Sequence, residues 1–248
     1  MIGLFDSGSG GLSVLSALRD RAPHADIVYF GDIKNAPYGI RSQYELNALT
    51  IAGVEILRSR GAKEIVSACN SVSQSVLNGA AGSMPFVEMS VPTAEHMRTH
   101  QDKRALLLAT PATVDSGMYA RALDGIVVLD SLSISELAGA IEFGRPDDEV
   151  RAIVRNAFGQ RVGEKYDCLI LGCTHYPLSR EIIQEEAHEA FGDLAIIDPA
   201  EFVALEVEQK FSIKGGGACT FVISAESSEF RRRAAALFSD GRYTIEII

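Results

Sequence analysis

Short, almost wholly apolar runs alternate along the chain with longer stretches in which apolar residues recur at helical spacing. IGLF (2–5) precedes a glycine-rich turn and the amphipathic LSVLSALRD (12–20). IVYFGD (27–32) comes next, followed by a long periodic segment from about Ser42 to Arg60 that Gly61 ends. EIVSA (64–68), ALLLA (105–109) and CLILG (168–172) repeat the strand-then-turn pattern, and LAIID (194–198) runs into a helix opened by Pro199. TFVIS (220–224) and YTIEI (243–247) bracket a helical stretch around Phe230 to Phe238. Runs that are apolar on both faces belong to strands covered by helices on either side, the arrangement of a parallel sheet. The predicted fold class is therefore α/β with mainly parallel sheets. In such sheets, binding residues sit on the turns just past the carboxyl ends of the strands.

Four of those turns match one another. Asp6 and Ser7 follow the first strand, and Cys69, Asn70 and Ser71 follow the strand at 64–68. Thr110 follows the strand at 105–109, and Cys173, Thr174 and His175 follow the strand at 168–172. Cys69 lies 63 positions after Asp6, Cys173 lies 63 after Thr110, and corresponding turns are 104 apart. Equal offsets suggest two copies of one doubly wound unit related by a pseudo-twofold. The two cysteines would then face each other across an interdomain cleft, a common location for a site.

A cysteine at the mouth of a strand-turn-helix unit can be activated, because a helix N-terminus favours the thiolate. Two facing thiols suit removal of a proton from one face of a carbon and delivery to the other, which is stereoinversion. Cys168 and Cys219 begin apolar strands and read as packing residues. His175, two residues after Cys173, reads as a catalytic neighbour, whereas His24, His96, His100 and His188 are assigned no role. The glycine-rich turn fails the dinucleotide fingerprint, since Ser13 holds the third glycine position, and no P-loop lysine follows. It remains suited to binding carboxylates through backbone N–H groups. Arg231, Arg232 and Arg233 read as a solvated helix face.

Composition limits the remaining choices. The 248 residues are 47% hydrophobic and 23% charged, which is a folded composition large enough for one big domain or two small ones. A net charge of −10 argues against a nucleic-acid or anionic-membrane binder and poses a puzzle for any anionic substrate. No signal-peptide pattern and no long apolar span is read, and the four cysteines show neither disulfide-scaffold nor zinc-finger spacing. The expected setting is a reducing cytoplasm, with free thiols and no metal.

The segments FDSGSGG (5–11), YFGD and APYG (29–32 and 36–39), ACNS (68–71), TPATVDSGMY (110–119) and LGCTHYPL (171–178) together resemble the aspartate/glutamate racemase superfamily, in its glutamate racemase branch. FVISAESSEF (221–230) is similar in pattern, so the resemblance covers nearly the whole chain. It implies a cofactor-independent enzyme in which Cys69 exchanges the α-proton of D-glutamate and Cys173 that of L-glutamate. Asp6 would assist Cys69, and His175 would assist Cys173. Asp6, Ser7, Asn70, Ser71, Thr174 and His175 would hold the ammonium and α-carboxylate. Pro37, Tyr38 and Gly39 would hold the side-chain carboxylate, with Thr110 and Thr113 also at the substrate. Glu142 stands where the family carries a glutamate near His175.

The resemblance also implies two domains, residues 1–93 with 206–248 and an inserted 94–205. Its product would be D-glutamate for peptidoglycan precursors, and a homodimer is compatible with it. The sequence departs from the family at Ser71, where threonine is usual, at Ile33-Lys34-Asn35, and at SELAGA before Glu142. These departures keep open an amino-acid racemase of aspartate or broader specificity. Two further readings are a protein-binding regulator, since some members bind DNA gyrase, and an inactive binder of the small molecule.

Overall fold

A computed structural model describes residues 1–99, 104–238 and 241–248 of the chain; His100 lies outside the described residues. The order begins β1 (Ile2–Asp6), α1 (Leu12–Arg21), β2 (Ile27–Gly31), α2 (Gln43–Ser59), β3 (Glu64–Ser67), α3 (Gln74–Ala81), β4 (Phe86–Val87) and α4 (Ser90–Met97). It continues with β5 (Arg104–Ala109), α5 (Pro111–Ser116), α6 (Met118–Ala122), β6 (Val128–Ser133), α7 (Leu137–Glu142), α8 (Asp147–Phe158) and β7 (Cys168–Gly172). The chain closes with α9 (Arg180–Phe191), β8 (Ala195–Ile197), α10 (Pro199–Lys210), β9 (Cys219–Ile223), α11 (Ser228–Leu237) and β10 (Tyr243–Ile247).

The strands form two parallel sheets, in the orders β10-β9-β2-β1-β3-β4 and β6-β5-β7-β8. The run β2-β1-β3-β4 in the first has the same plan as β6-β5-β7-β8 in the second. That is the duplicated α/β unit expected from the 104-residue offset. The ladders differ by one residue: Phe5 pairs with Ser67, but Ala109 pairs with Gly172.

The twofold alternation of side chains along a strand explains why whole strands are apolar. In β5, Ala105, Leu107 and Ala109 enter a core shared with β1, α1, α10 and β9, whereas Leu106 and Leu108 enter an outer core under α7, α8 and α9. In β7, Cys168 and Ile170 face the shared core, and Leu169 and Leu171 face the outer one. Cys219 also joins the shared core, so both strand-start cysteines are packing residues. Phe5, Val28 and Val222 face a third core beneath α2 and α3. Helices α1 and α10 pack on each other in the shared core, holding the two units together.

Local sequence explains where the helices start. Ser42 and Glu45 form a reciprocal capping box at α2, Asp198 accepts from Ala200 N–H at α10, and Ser227 accepts from Phe230 N–H at α11. Thr110 caps α5 ahead of Pro111, which fixes the turn that leads from β5 into the site. Two strands escaped the apolar-run pattern. β4 has only two residues, and β6 is a half-exposed edge strand in which Asp130, Ser131 and Ser133 interrupt the run. Among the described residues, no helix is long and apolar enough to cross a membrane.

Candidate active site

The carboxyl ends of β1, β3, β5 and β7 converge on one narrow cleft. Its walls are Ser7, Pro37, Tyr38, Gly39, Cys69, Asn70, Ser71, Thr110, Ala138, Cys173, Thr174 and His175. The two cysteines from corresponding turns thus share one cavity, and both are buried. The space open to a water centre is about 10 Å³, room for roughly one water molecule. A substrate of amino-acid size therefore requires the walls to part.

Asp6, Glu142 and Thr113 stand behind this lining. Asp6 is fully buried; its carboxylate accepts from Gly8 N–H at 2.9 Å and from Thr174 Oγ1 at 3.2 Å. Burial raises its pKa, offset in part by the charge of His175 and by the N–H groups of Gly11 and Gly8. Thr113 bonds Thr110 at 2.9 Å between hydroxyls, and Thr110 in turn bonds Ser71 at 3.2 Å, joining the fifth-strand turn to the third-strand turn.

Glu142 ends α7. Its Oε2 is 2.5 Å from His175 Nε2 and accepts from Ser9 Oγ at 2.6 Å and Ser9 N–H at 3.0 Å. Burial alone would raise Glu142, but the bond and charge of His175 and the donors of Ser9 outweigh it and hold it at about 2. Burial also opposes the charge on His175. Its bonds to Cys173 and Glu142 win, and its pKa rises well above the ordinary imidazole value. The other ring nitrogen, Nδ1, is 3.8 Å from Cys173 Sγ. An imidazolium held between a carboxylate and a thiol sulfur can stabilise a thiolate and pass a proton.

Cys69 differs from the helix-terminus expectation. Burial and then the charge of Asp6 push its thiol up to about 12, against the N–H of Ser71 and the hydroxyl of Ser7, both of which favour the thiolate. The helix behind it starts only at Gln74, five positions on, so its N-terminal field is weak at the sulfur. Cys69 rests as a thiol.

The glycine-rich turn does bind carboxylates through backbone N–H groups, but they are the protein's own, on Asp6 and Glu142. A Cβ on Gly8 would come 2.6 Å from Glu142 Oε1, and one on Gly10 would come 2.6 Å from His175 Nδ1. Those glycines let the first-strand loop lie against the acid and the imidazole.

Tyr38 follows a cis Ala36–Pro37 bond, and its hydroxyl donates to Asp32 Oδ2 at 2.6 Å. That leaves backbone groups to serve the cleft at positions 38 and 39. Asn70 Oδ1 accepts from Tyr119 OH at 2.6 Å, while its buried Nδ2 has no hydrogen-bond partner among the described residues. An unpartnered buried donor on a cleft wall is a ready contact for an anionic or carbonyl oxygen.

Sequence reasoning missed Ser9, Ala138, Tyr119 and Arg233. The arginine run is only partly a solvated face. Arg231 and Arg232 are exposed and paired with Glu226 and Glu229, but the Arg233 side chain is only 12% exposed and points inward at Ser9. Its place three residues after buried Phe230 on α11 was the available signal. Among the described residues, no group of three or more His, Cys, Asp or Glu side chains is arranged to hold a metal ion.

Known proteins are similar to this chain over most of its length. A glutamate racemase of Aquifex pyrophilus is 34% identical over 83% of this chain and 81% of that protein. A glutamate racemase of Caldanaerobacter subterraneus is 30% identical over 100% of this chain and 94% of that protein. The crystal structure of glutamate racemase isoform RacE1 from Bacillus anthracis superposes with a TM-score of 0.87 at 29% identity, covering 100% of this chain and 97% of that one. The family model described as Asp/Glu/Hydantoin racemase matches residues 12–207, and on these grounds the chain belongs to that family and is a racemase, an isomerase.

Proposed function

We propose that this racemase interconverts L- and D-glutamate by a two-thiol mechanism. The observation that carries the reading is the sharing of one closed cleft by Cys69 and Cys173, at the ends of corresponding strands of two duplicated sheets. In the L-to-D direction, the Cys173 thiolate removes the α-proton and forms an S–H bond as the Cα–H bond breaks. The Cys69 thiol, held protonated by burial and by Asp6, delivers its proton to the opposite face and becomes the thiolate. The reverse direction exchanges these roles, and proton exchange with solvent resets the pair.

His175 supports the Cys173 thiolate, and Glu142 acts through His175. Negative charge that flows from Cα onto the carboxylate meets neutral donors, of which Asn70 Nδ2 is one. The glutamate names of the relatives at 30% identity or more support the substrate. Fixed neutral donors answer the puzzle of the acidic net charge, because the local field of the cleft need not follow the outer surface.

With the substrate go the expectations of D-glutamate supply to peptidoglycan precursors and of cytoplasmic work. The division into residues 1–93 with 206–248 and 94–205 is supported by sheet membership. The first sheet draws on strands within 2–87 and 219–247, and the second on strands within 104–197.

The test is solvent-deuterium incorporation at Cα with each glutamate enantiomer, using purified protein, Cys69→Ser and Cys173→Ser. Each variant is expected to lose racemisation by at least about 100-fold. Full inversion by both would end the two-thiol reading. L-aspartate and other L-amino acids, followed by chiral chromatography, separate glutamate from the broader specificity left open by Ser71.

A further inference from the structure

Arg233 projects from α11, which flanks the first sheet, toward α7, which belongs to the second. Its Nη2 donates to the carbonyl of Ile141 at 2.6 Å and pairs with Glu229 at 2.7 Å, and its Nη1 donates to Ser9 Oγ. Ser9 Oγ then donates to Glu142 Oε2, which bonds His175. A continuous path runs Arg233, Ser9, Glu142, His175, Cys173, through four separate segments of the chain. Ile141 directly precedes Glu142, so the guanidinium fixes both the backbone beside the carboxylate and the hydroxyl upon it.

We propose that Arg233 is a positioning residue for the Cys173 side of the site, clamping α11 to the end of α7 and, through Ser9, holding Glu142 against His175. The inference rests on the racemase reading of the cleft. It gives the closed state a definite device. The contacts of Arg233 with Ile141 and of Ser9 with Glu142 join the two units, so their re-formation as the walls close restores the alignment of His175. A planar fork suits a site with several acceptors, and a lysine would satisfy fewer of them.

The groups that face this path are few. His175 is faced by Cys173 on its own loop, Glu142 from α7 and Asp6 from β1. Glu142 is also faced by Asp6 and by Tyr29 from β2, and Arg233 stands behind Ser9 with Glu229 beside the guanidinium. Cys173 is faced by Tyr176, by Tyr119 from α6 and by Cys69 across the cleft. Arg233 is the one cation in this set besides the imidazolium. Removing it loosens Glu142, the partner that holds the imidazolium, so His175 gives up its proton at lower pH.

The experiment follows racemisation of both glutamate enantiomers from about pH 6 to about pH 10 for wild type, Arg233→Met, Arg233→Lys, Ser9→Ala and the Met/Ala double variant. Folding is followed by circular dichroism and thermal unfolding. Arg233→Met is expected to lower kcat about 10- to 100-fold, with KM within about twofold because Arg233 does not line the cleft. The alkaline limb of its kcat/KM profile is expected to move downward. Arg233→Lys should restore the limb and part of kcat, and the double variant should be little worse than the more impaired single one.

Unchanged kcat in Arg233→Met, a loss of kcat with the limb unmoved, or additive losses in the double variant would overturn the assignment. Should Arg233→Met not fold, Arg233→Lys and Ser9→Ala decide. A reduced kcat at unchanged KM in both supports the path, and wild-type kcat in either removes it. Wild-type protein that leaves glutamate unchanged removes the functional reading, and this assignment falls with it. Active wild type with unaffected variants removes the assignment alone.

Discussion

Glu142 Oε2 lies 2.5 Å from His175 Nε2, both side chains buried, one ending the helix after β6 and the other following β7. The first sheet completes the pair through Ser9, whose N–H and hydroxyl both reach the carboxylate. An imidazole beside a thiol is thus oriented by a carboxylate, and that carboxylate is oriented by the other unit.

Glu142→Gln keeps a hydrogen-bonding group but removes the charge that holds the proton on His175. The pKa of His175 should fall, and the alkaline limb of kcat/KM should move down, further than in Arg233→Met, which loosens the carboxylate without removing it. A kcat loss of about 100-fold is expected, within the range of a general acid–base contribution. Rate profiles over pH for both variants check the common direction and the order of the two shifts, and an upward or unmoved limb in Glu142→Gln would refute the electrostatic account.

Stability should follow the same pair. Glu142 is held at about 2, below the ordinary 4.5, so the unfolded chain binds more protons between those values. Its contribution is present above pH 4.5 and lost as pH falls toward 2, by about 3 kcal/mol at most. His175 is raised above 6.5, so its contribution is full below that value and lost as pH rises through the raised one. Urea unfolding between neutral and acid pH should show a shallower fall in Glu142→Gln than in wild type.

Gly10→Ala tests the close approach of the first-strand loop. The new Cβ would lie 2.6 Å from His175 Nδ1 and 2.7 Å from Thr174 Oγ1. Nδ1 is the nitrogen that faces Cys173, so the ring must turn or retreat from the sulfur. A stability loss of about 1–3 kcal/mol is expected, as for an overpacked interior. Racemisation should fall by about 100-fold or more, a larger effect than the shift in thermal midpoint would suggest. Paired measurement of kcat and thermal unfolding separates the two.

The parts that were legible in the sequence are those with a strong local signal. Apolar runs such as ALLLA and CLILG marked the central strands because both faces of each strand are covered, one by the shared core and one by an outer core. The duplicated spacing of Asp6, Cys69, Thr110 and Cys173 pointed to paired turns because strand ends in a parallel sheet are brought together by the sheet itself. β6 was not legible, since an edge strand with one face near solvent needs no apolar run. Ser9 and Arg233 were not legible because their partners lie 133 and 224 positions apart along the chain, a distance that local pattern does not span. The glycines at 8 and 10 were legible as a turn but not as the space left for Glu142 and His175.

Tyr119 sets the orientation of Asn70. Its hydroxyl donates to Asn70 Oδ1 at 2.6 Å, which leaves the amide NH2 as the unpartnered end on a residue of the cleft wall. Tyr119→Phe removes that donor, and the amide can then turn its oxygen toward the substrate carboxylate, where it repels. The folded protein should lose about 1 kcal/mol, the net value of one hydrogen bond. KM for glutamate should rise several-fold, about 2- to 10-fold, while the pH profile stays in place because Tyr119 has no bond to the Glu142–His175 pair. Asn70→Ala in the Tyr119→Phe background closes the cycle. If Tyr119 acts by orienting Asn70, the two losses in KM fall short of their sum, and full additivity would show that the tyrosine acts on the site by another route.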